Sequence, residues 1–204
     1  MDIDPHDVID QAQQAREAAA VRAERRSARL NAMVAVTVAL LATFMGICKV
    51  KDDNIVQAMQ QAQADKLDHW NFYQARNLRQ EVAEATVVQL ELARAQAADK
   101  TAYDASIKRY RELAEDQVRK KAELKAQAEE DQRQYDRLNY RDDQFDLSDA
   151  LLAIAIAMLA VTALTGLWAL YWAALVPTFF GVLMGVAGLV ALPIHPDALV
   201  KLLS

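Results

Sequence analysis

Residues 30–48 read LNAMVAVTVALLATFMGIC. No charge interrupts this stretch, and Asn31, Thr37 and Thr43 are its only polar side chains. As an α-helix it is about 28 Å long at ~1.5 Å per residue, close to the ~30 Å hydrocarbon thickness of a bilayer. A secretory signal has a shorter apolar core and a small-residue exit. Here the exit reads GICKVKDD and the preceding segment carries acids as well as arginines, so the stretch reads as an uncleaved anchor.

On its N-terminal side lies a polar leader, residues 1–29, in which Arg16, Arg22, Arg25, Arg26 and Arg29 crowd the end. A second apolar block occupies residues 147–192, with Asp149 as its only charge. That is about twice one span, so it reads as a hairpin of two spans, 148–170 and 174–192. The turn is expected near Tyr171. Trp168, Tyr171 and Trp172 have the amphipathic rings that favour a membrane–water interface, and Pro177 suits the first turn of a new helix. Pro193 and Pro196 end the last span, leaving a tail, 193–204, in which DALVKLLS can form one interfacial turn capped by Asp197.

Between the apolar blocks, residues 49–146 are highly charged and lack the residues that break helices. No proline falls between Pro5 and Pro177, and no glycine between Gly46 and Gly166. Punctuation occurs only at AADKTAYDA, residues 97–105. Beyond it a four–three spacing runs through Tyr103, Ile107, Tyr110, Ala114, Gln117, Lys121, Leu124, Ala128, Asp131, Tyr135, Leu138, Asp142 and Phe145. Most of these are apolar or aromatic, a coiled-coil-like pattern. Before the turn, Ala64, Leu67, Leu78, Ala85, Val88 and Leu92 share a face, interrupted by Asn71, Gln74 and Glu81. The expected fold is an all-α membrane protein. Three transmembrane helices carry a long antiparallel coiled-coil-like hairpin between the first and second.

Chemistry leaves little trace. There is no glycine-rich phosphate loop, no H-E-x-x-H and no C-x-x-C, which points away from an enzyme and from any cofactor or metal. Cys48 is the single cysteine, at the end of an apolar run, and reads as a buried inert thiol. His6 lies in a polar leader and His195 between two prolines, and neither reads as a metal ligand. The net charge of −5, with both signs mixed along the middle, argues against nucleic acid as partner. The densest cluster is DKLDHWNFYQAR, residues 65–76. Asp65, Asp68 and His69 could meet on one helix face, but Trp70 and Tyr73 read better as packing anchors between arms or subunits. Tyr110 and Leu124 belong to the seam, whereas Val87, Leu90, Leu113 and Val118 lie off it and offer apolar surface to another chain. In the last span, Gly181, Gly185 and Gly188 form a small-residue face for close helix packing, within the chain or against a neighbour.

The order of parts, with the run VAVTVALLATFMGICKVKDDNIVQAMQQAQADKLDHWNFYQARNLRQ, resembles a family of small bacterial membrane proteins. That family carries only a domain-of-unknown-function label, number 4337. Asp68, Trp70, Tyr73, Gln74, Ala75 and Arg76 are the most specific element of the likeness. It implies a bacterial inner-membrane location and supplies no catalytic residues. The expected function is a membrane-anchored, self-associating structural or scaffolding protein; the alternative is a subunit of an oligomeric channel or transporter. Membrane lipid and further copies of the chain are the expected partners, with no small-molecule substrate. The arginines before the first span place the N-terminus in the cytoplasm and the charged middle in the periplasm, although Arg133, Arg137 and Arg141 favour the reverse.

Overall fold

The structure, a computed structural model, describes residues 5–194, with side chains at Gln14 and from Arg16 onward. His195 and the expected turn capped by Asp197 lie outside the described residues, as does the side chain of His6. Three helices account for nearly all of the rest: α1 Pro5–Gln96, α2 Thr101–Thr165 and α3 Trp168–Val190. No strand occurs among the described residues. Each helix contains a segment long and apolar enough to cross a membrane. The length of α1 and α2 follows from the missing glycine and proline. They break only at residues 97–100, where Asp99 Oδ1 accepts the Thr101 backbone N–H at 2.9 Å and its hydroxyl at 2.6 Å, capping α2. The chain divides into two compact units: Met1–Asp53 with Arg141–Ser204, and Asn54–Tyr140.

The first unit holds the apolar stretches. Leu30, Val34 and Leu41 of α1, Leu152, Ala155 and Leu159 of α2, and Tyr171 and Ala174 of α3 form its core. The glycine face of α3 lies inside this unit. A Cβ on Gly181 would come within 2.8 Å of Leu152, on Gly185 within 2.7 Å of Phe44, and on Gly188 within 2.8 Å of Phe145. Only glycine permits that approach. Many other apolar side chains of the unit point outward, among them Leu40, Ile154, Val161, Leu164, Val176 and Phe179.

The hairpin turn differs from the sequence expectation. It falls at Gly166 and Leu167, not at Tyr171, and Gly166 supplies the left-handed backbone (φ 68°) that reverses the chain. Tyr171 is buried inside α3 and its hydroxyl meets that of Thr37 at 3.2 Å. The polar edge that suggested an interface is satisfied within the helix bundle instead. Pro177 stands inside α3, not in its first turn. At the far end, Ala191 adopts a left-handed cap, and its N–H donates to the Ala187 carbonyl. Arg141 donates to the Gly188 carbonyl at 2.8 Å, and Gln144 Nε2 donates to the carbonyls of Leu192 (2.9 Å) and Ile194 (2.6 Å). These bonds satisfy orphan carbonyls at a helix C-terminus and put a cation where the dipole favours one.

The second unit contains the charged arms of α1 and α2. On α2 the inward positions up to Leu138 are those the spacing predicts, with Ile107, Ala114, Gln117 and Ala128 the most buried. On α1 the inward set differs. It runs through Ile55, Met59, Ala62, Lys66, His69, Tyr73, Arg76, Gln80, Ala83, Val87 and Leu90, again at four–three spacing. The expected α1 face is instead exposed: Leu67, Leu78, Val88 and Leu92 point to solvent, as do Ala64 and Ala85. Val87 and Leu90, read as lying off the seam, are half-buried on it.

Candidate interaction surfaces

The α1 side of the seam is polar in its middle, and each polar group has a partner on α2. Lys66 donates to Gln132, and His69 Nδ1 lies 2.6 Å from Asp131 Oδ2. Arg76 donates to the buried Gln117 at 3.1 Å. Lys121 donates to Asn77 at 2.8 Å and Gln80 at 2.9 Å, and its ammonium sits 5.7 Å from the centre of the Tyr73 ring. Arg111 pairs with Glu91, and Arg94 with Asp104 at 2.7 Å. From Lys66–Gln132 to Arg94–Asp104 the partner numbers on α2 fall as those on α1 rise, so the arms run antiparallel, with polar contacts along their register.

The cluster at residues 65–76 does not converge on one point. Asp65 accepts from Gln61, Asp68 is exposed, and His69 is occupied by Asp131. Trp70 and Tyr73 are half-buried and meet edge to face, 5.3 Å between centroids. Tyr110 and Leu124 are half-buried on α2, whereas Leu113 and Val118 are exposed. Five of the apolar residues that point outward from the α1 arm form a stripe, with Phe72 exposed outside it. Leu67, Leu78, Val82, Val88 and Leu92 are 54–63% exposed. At ~100° per residue they fall within a ~120° arc of the helix.

A second concentration of polar groups lies in the first unit, unannounced by any sequence motif. Asp52 is only 4% exposed, and its Oδ2 accepts from Lys49 at 2.8 Å. Asp142 and Asp146 stand near it. Burial, a hydrogen bond with Asp52 and the negative charges of Asp146, Asp52 and Asp143 push the Asp142 carboxyl up to about 6. Burial, then the charges of Asp52 and Asp143, raises Asp146 as well. The bond to Asp52 in turn raises the Lys49 ammonium. When protonated, the half-buried Asp142 can donate to the buried Asp52, so the two acids can lie side by side. No group of three His, Cys, Asp or Glu placed to hold a metal occurs among the described residues.

An all-helical chain with three long apolar helices and a charged antiparallel pair defines a class of architecture, not an activity. Residues 30–191 match the family described as Domain of unknown function (DUF4337), and the chain belongs to that family. No curated protein matches the chain. No solved structure matches it.

Proposed function

We propose that the chain is a multi-pass membrane protein of the bacterial inner membrane that self-associates through its charged arms into a structural scaffold. Residues 30–48, 147–165 and 168–190 are the spans, and the arms form an antiparallel coiled coil. The exposed apolar stripe on α1 carries this reading. Five large apolar side chains on one face of an otherwise charged arm are more than half exposed among the described residues. A second copy of the same chain is the occupant that supplies a matching apolar face, because a two-fold contact pairs each patch with itself. Leu113 and Val118 add further apolar surface on α2.

The spans support a scaffold over a pore through the protomer. Thr43, Thr162, Thr165 and Thr178 each return their hydroxyl to the carbonyl four residues back. Ser148 donates to the Gly181 carbonyl at 2.8 Å. These side chains are consumed by helix and packing bonds, which leaves little to line a polar path. Light scattering of the detergent-solubilised protein, corrected for bound detergent, is expected to give several times 22.7 kDa. The pair Leu78→Glu with Leu92→Glu is expected to lower that mass while helical circular dichroism is retained. A monomeric mass for the unaltered protein in more than one mild detergent overturns the scaffold.

A further inference from the structure

At the α2–α3 turn of the first unit, a cleft of about 480 Å³ is lined by Arg22, Arg26 and Ser27 of α1 and by Gly166, Leu167 and Trp168. Among the described residues no carboxylate lines it. Arg22 and Arg26 are one helical turn apart, so both guanidinium groups reach the same space, and neither has a carboxylate partner among the described residues. Two arginines side by side at a concave site are the arrangement that takes a phosphate, since each planar fork can hold two of its oxygens.

Two further features point the same way. The indole Nε1 of Trp168 is buried and has no acceptor among the described residues, although an indole can only donate. Leu167, in the cap position of α3, has no side-chain bond to give the first amides of the helix. The positive end of a 23-residue helix therefore opens beside the two arginines. Ser27 adds a hydroxyl, and Gly166 has nothing within 4 Å of where its Cβ would stand.

We propose that this cleft binds the phosphate of an anionic phospholipid headgroup. The proposal rests on the membrane reading above. The cleft adjoins apolar surface on the side where acyl chains would lie: the core begins at Leu30, three residues beyond Ser27, and Leu164 and Leu167 are exposed. A soluble phosphate ester would have no use for that flank. A headgroup bearing its own cation would be repelled by the two arginines, so phosphatidylglycerol is preferred over phosphatidylcholine.

Native mass spectrometry of the full chain in mild detergent, with each lipid added in turn, tests the assignment. One phosphatidylglycerol retained per chain is expected, with phosphatidylcholine retained far less. Arg22→Gln with Arg26→Gln should weaken retention by roughly tenfold or more. Arg16→Gln with Arg25→Gln removes the same charge outside the cleft and should leave retention unchanged. Trp168→Phe keeps the ring, loses the donor and should weaken retention, which provides a test if the double arginine variant fails to fold. Equal loss in both arginine pairs, equal retention of phosphatidylcholine, or displacement of the lipid by millimolar inorganic phosphate overturns the proposal. Failure of the membrane reading would look different: the unaltered chain would stay monodisperse in buffer without detergent.

Discussion

Gly185 and Gly46 stand in the same kind of apolar helix but in opposite circumstances. A Cβ on Gly185 would lie 2.7 Å from the Phe44 ring and 2.8 Å from Ser148 Oγ, whose hydroxyl is committed to the Gly181 carbonyl. Gly185→Ala is therefore expected to cost about 1–3 kcal/mol, the range for overpacking, read as earlier unfolding in a detergent-denaturant titration. Gly46 has nothing within 4 Å of its Cβ position, so Gly46→Ala should leave stability unchanged or raise it by up to about 1 kcal/mol. The acids make a separate prediction. A folded-state Asp142 that titrates near 6 instead of 3.8 holds its proton more tightly than the unfolded chain does. Its stabilising contribution is complete below the unfolded value and is lost as pH rises to the folded one. The thermal midpoint in detergent should fall between pH 4 and pH 6 on this account. Asp142→Asn should flatten that fall and raise the midpoint at neutral pH. A midpoint that climbs steeply over the same interval, with the variant indistinguishable, would refute it.

At the scale of the helix, the two arms show where hydrophobic periodicity succeeds as a guide and where it misleads. On α2 the inward residues are mostly apolar or aromatic, so Tyr103 through Leu138 were legible from spacing alone. On α1 the apolar spacing selects the wrong face. Lys66, His69, Arg76 and Gln80 occupy inward positions because α2 supplies Gln132, Asp131, Gln117 and Lys121 opposite them. No single-helix pattern can reveal a polar residue whose partner lies some 40 to 66 residues away in sequence. The turn was misplaced for a related reason: Tyr171 looks interfacial until Thr37 is known to face it. The helix-breaking glycine at Gly166 was the better signal. Two alanines on either side of Glu84 offer a sharp test of the α1 face. Ala83 is 1% exposed, and Ala83→Glu buries a charge without a partner, an expected loss of roughly 3 kcal/mol or more in denaturant unfolding followed by circular dichroism. Ala85 is exposed, and Ala85→Glu should stay within about 0.5 kcal/mol. The reverse ranking would restore the face read from sequence.

For the whole molecule, the membrane role proposed above carries a prediction of which side each part occupies. Arg22, Arg26 and the α2–α3 turn line one cleft, so the arginine-rich leader and the uncharged turn share an end of the first unit. Lys49, Asp52 and Asp142 gather elsewhere in it. With the leader and turn at one face, the five leader arginines favour the cytoplasm for both. Alkaline phosphatase fused near residue 100 is then expected to be active; a stably expressed but inactive fusion would reverse the orientation. The same position offers a reading that needs no fusion. From Pro5 to Thr165 the backbone leaves helix only at residues 97–100, and Lys100 is exposed there. Helical backbone resists proteases, whereas a short exposed break between helices invites them. Brief trypsin treatment should nick the chain at Lys100 first, giving two pieces that co-purify in mild detergent and part in denaturant. The cut would occur in whole spheroplasts but not in sealed inside-out vesicles, making that four-residue gap a built-in reporter of sidedness.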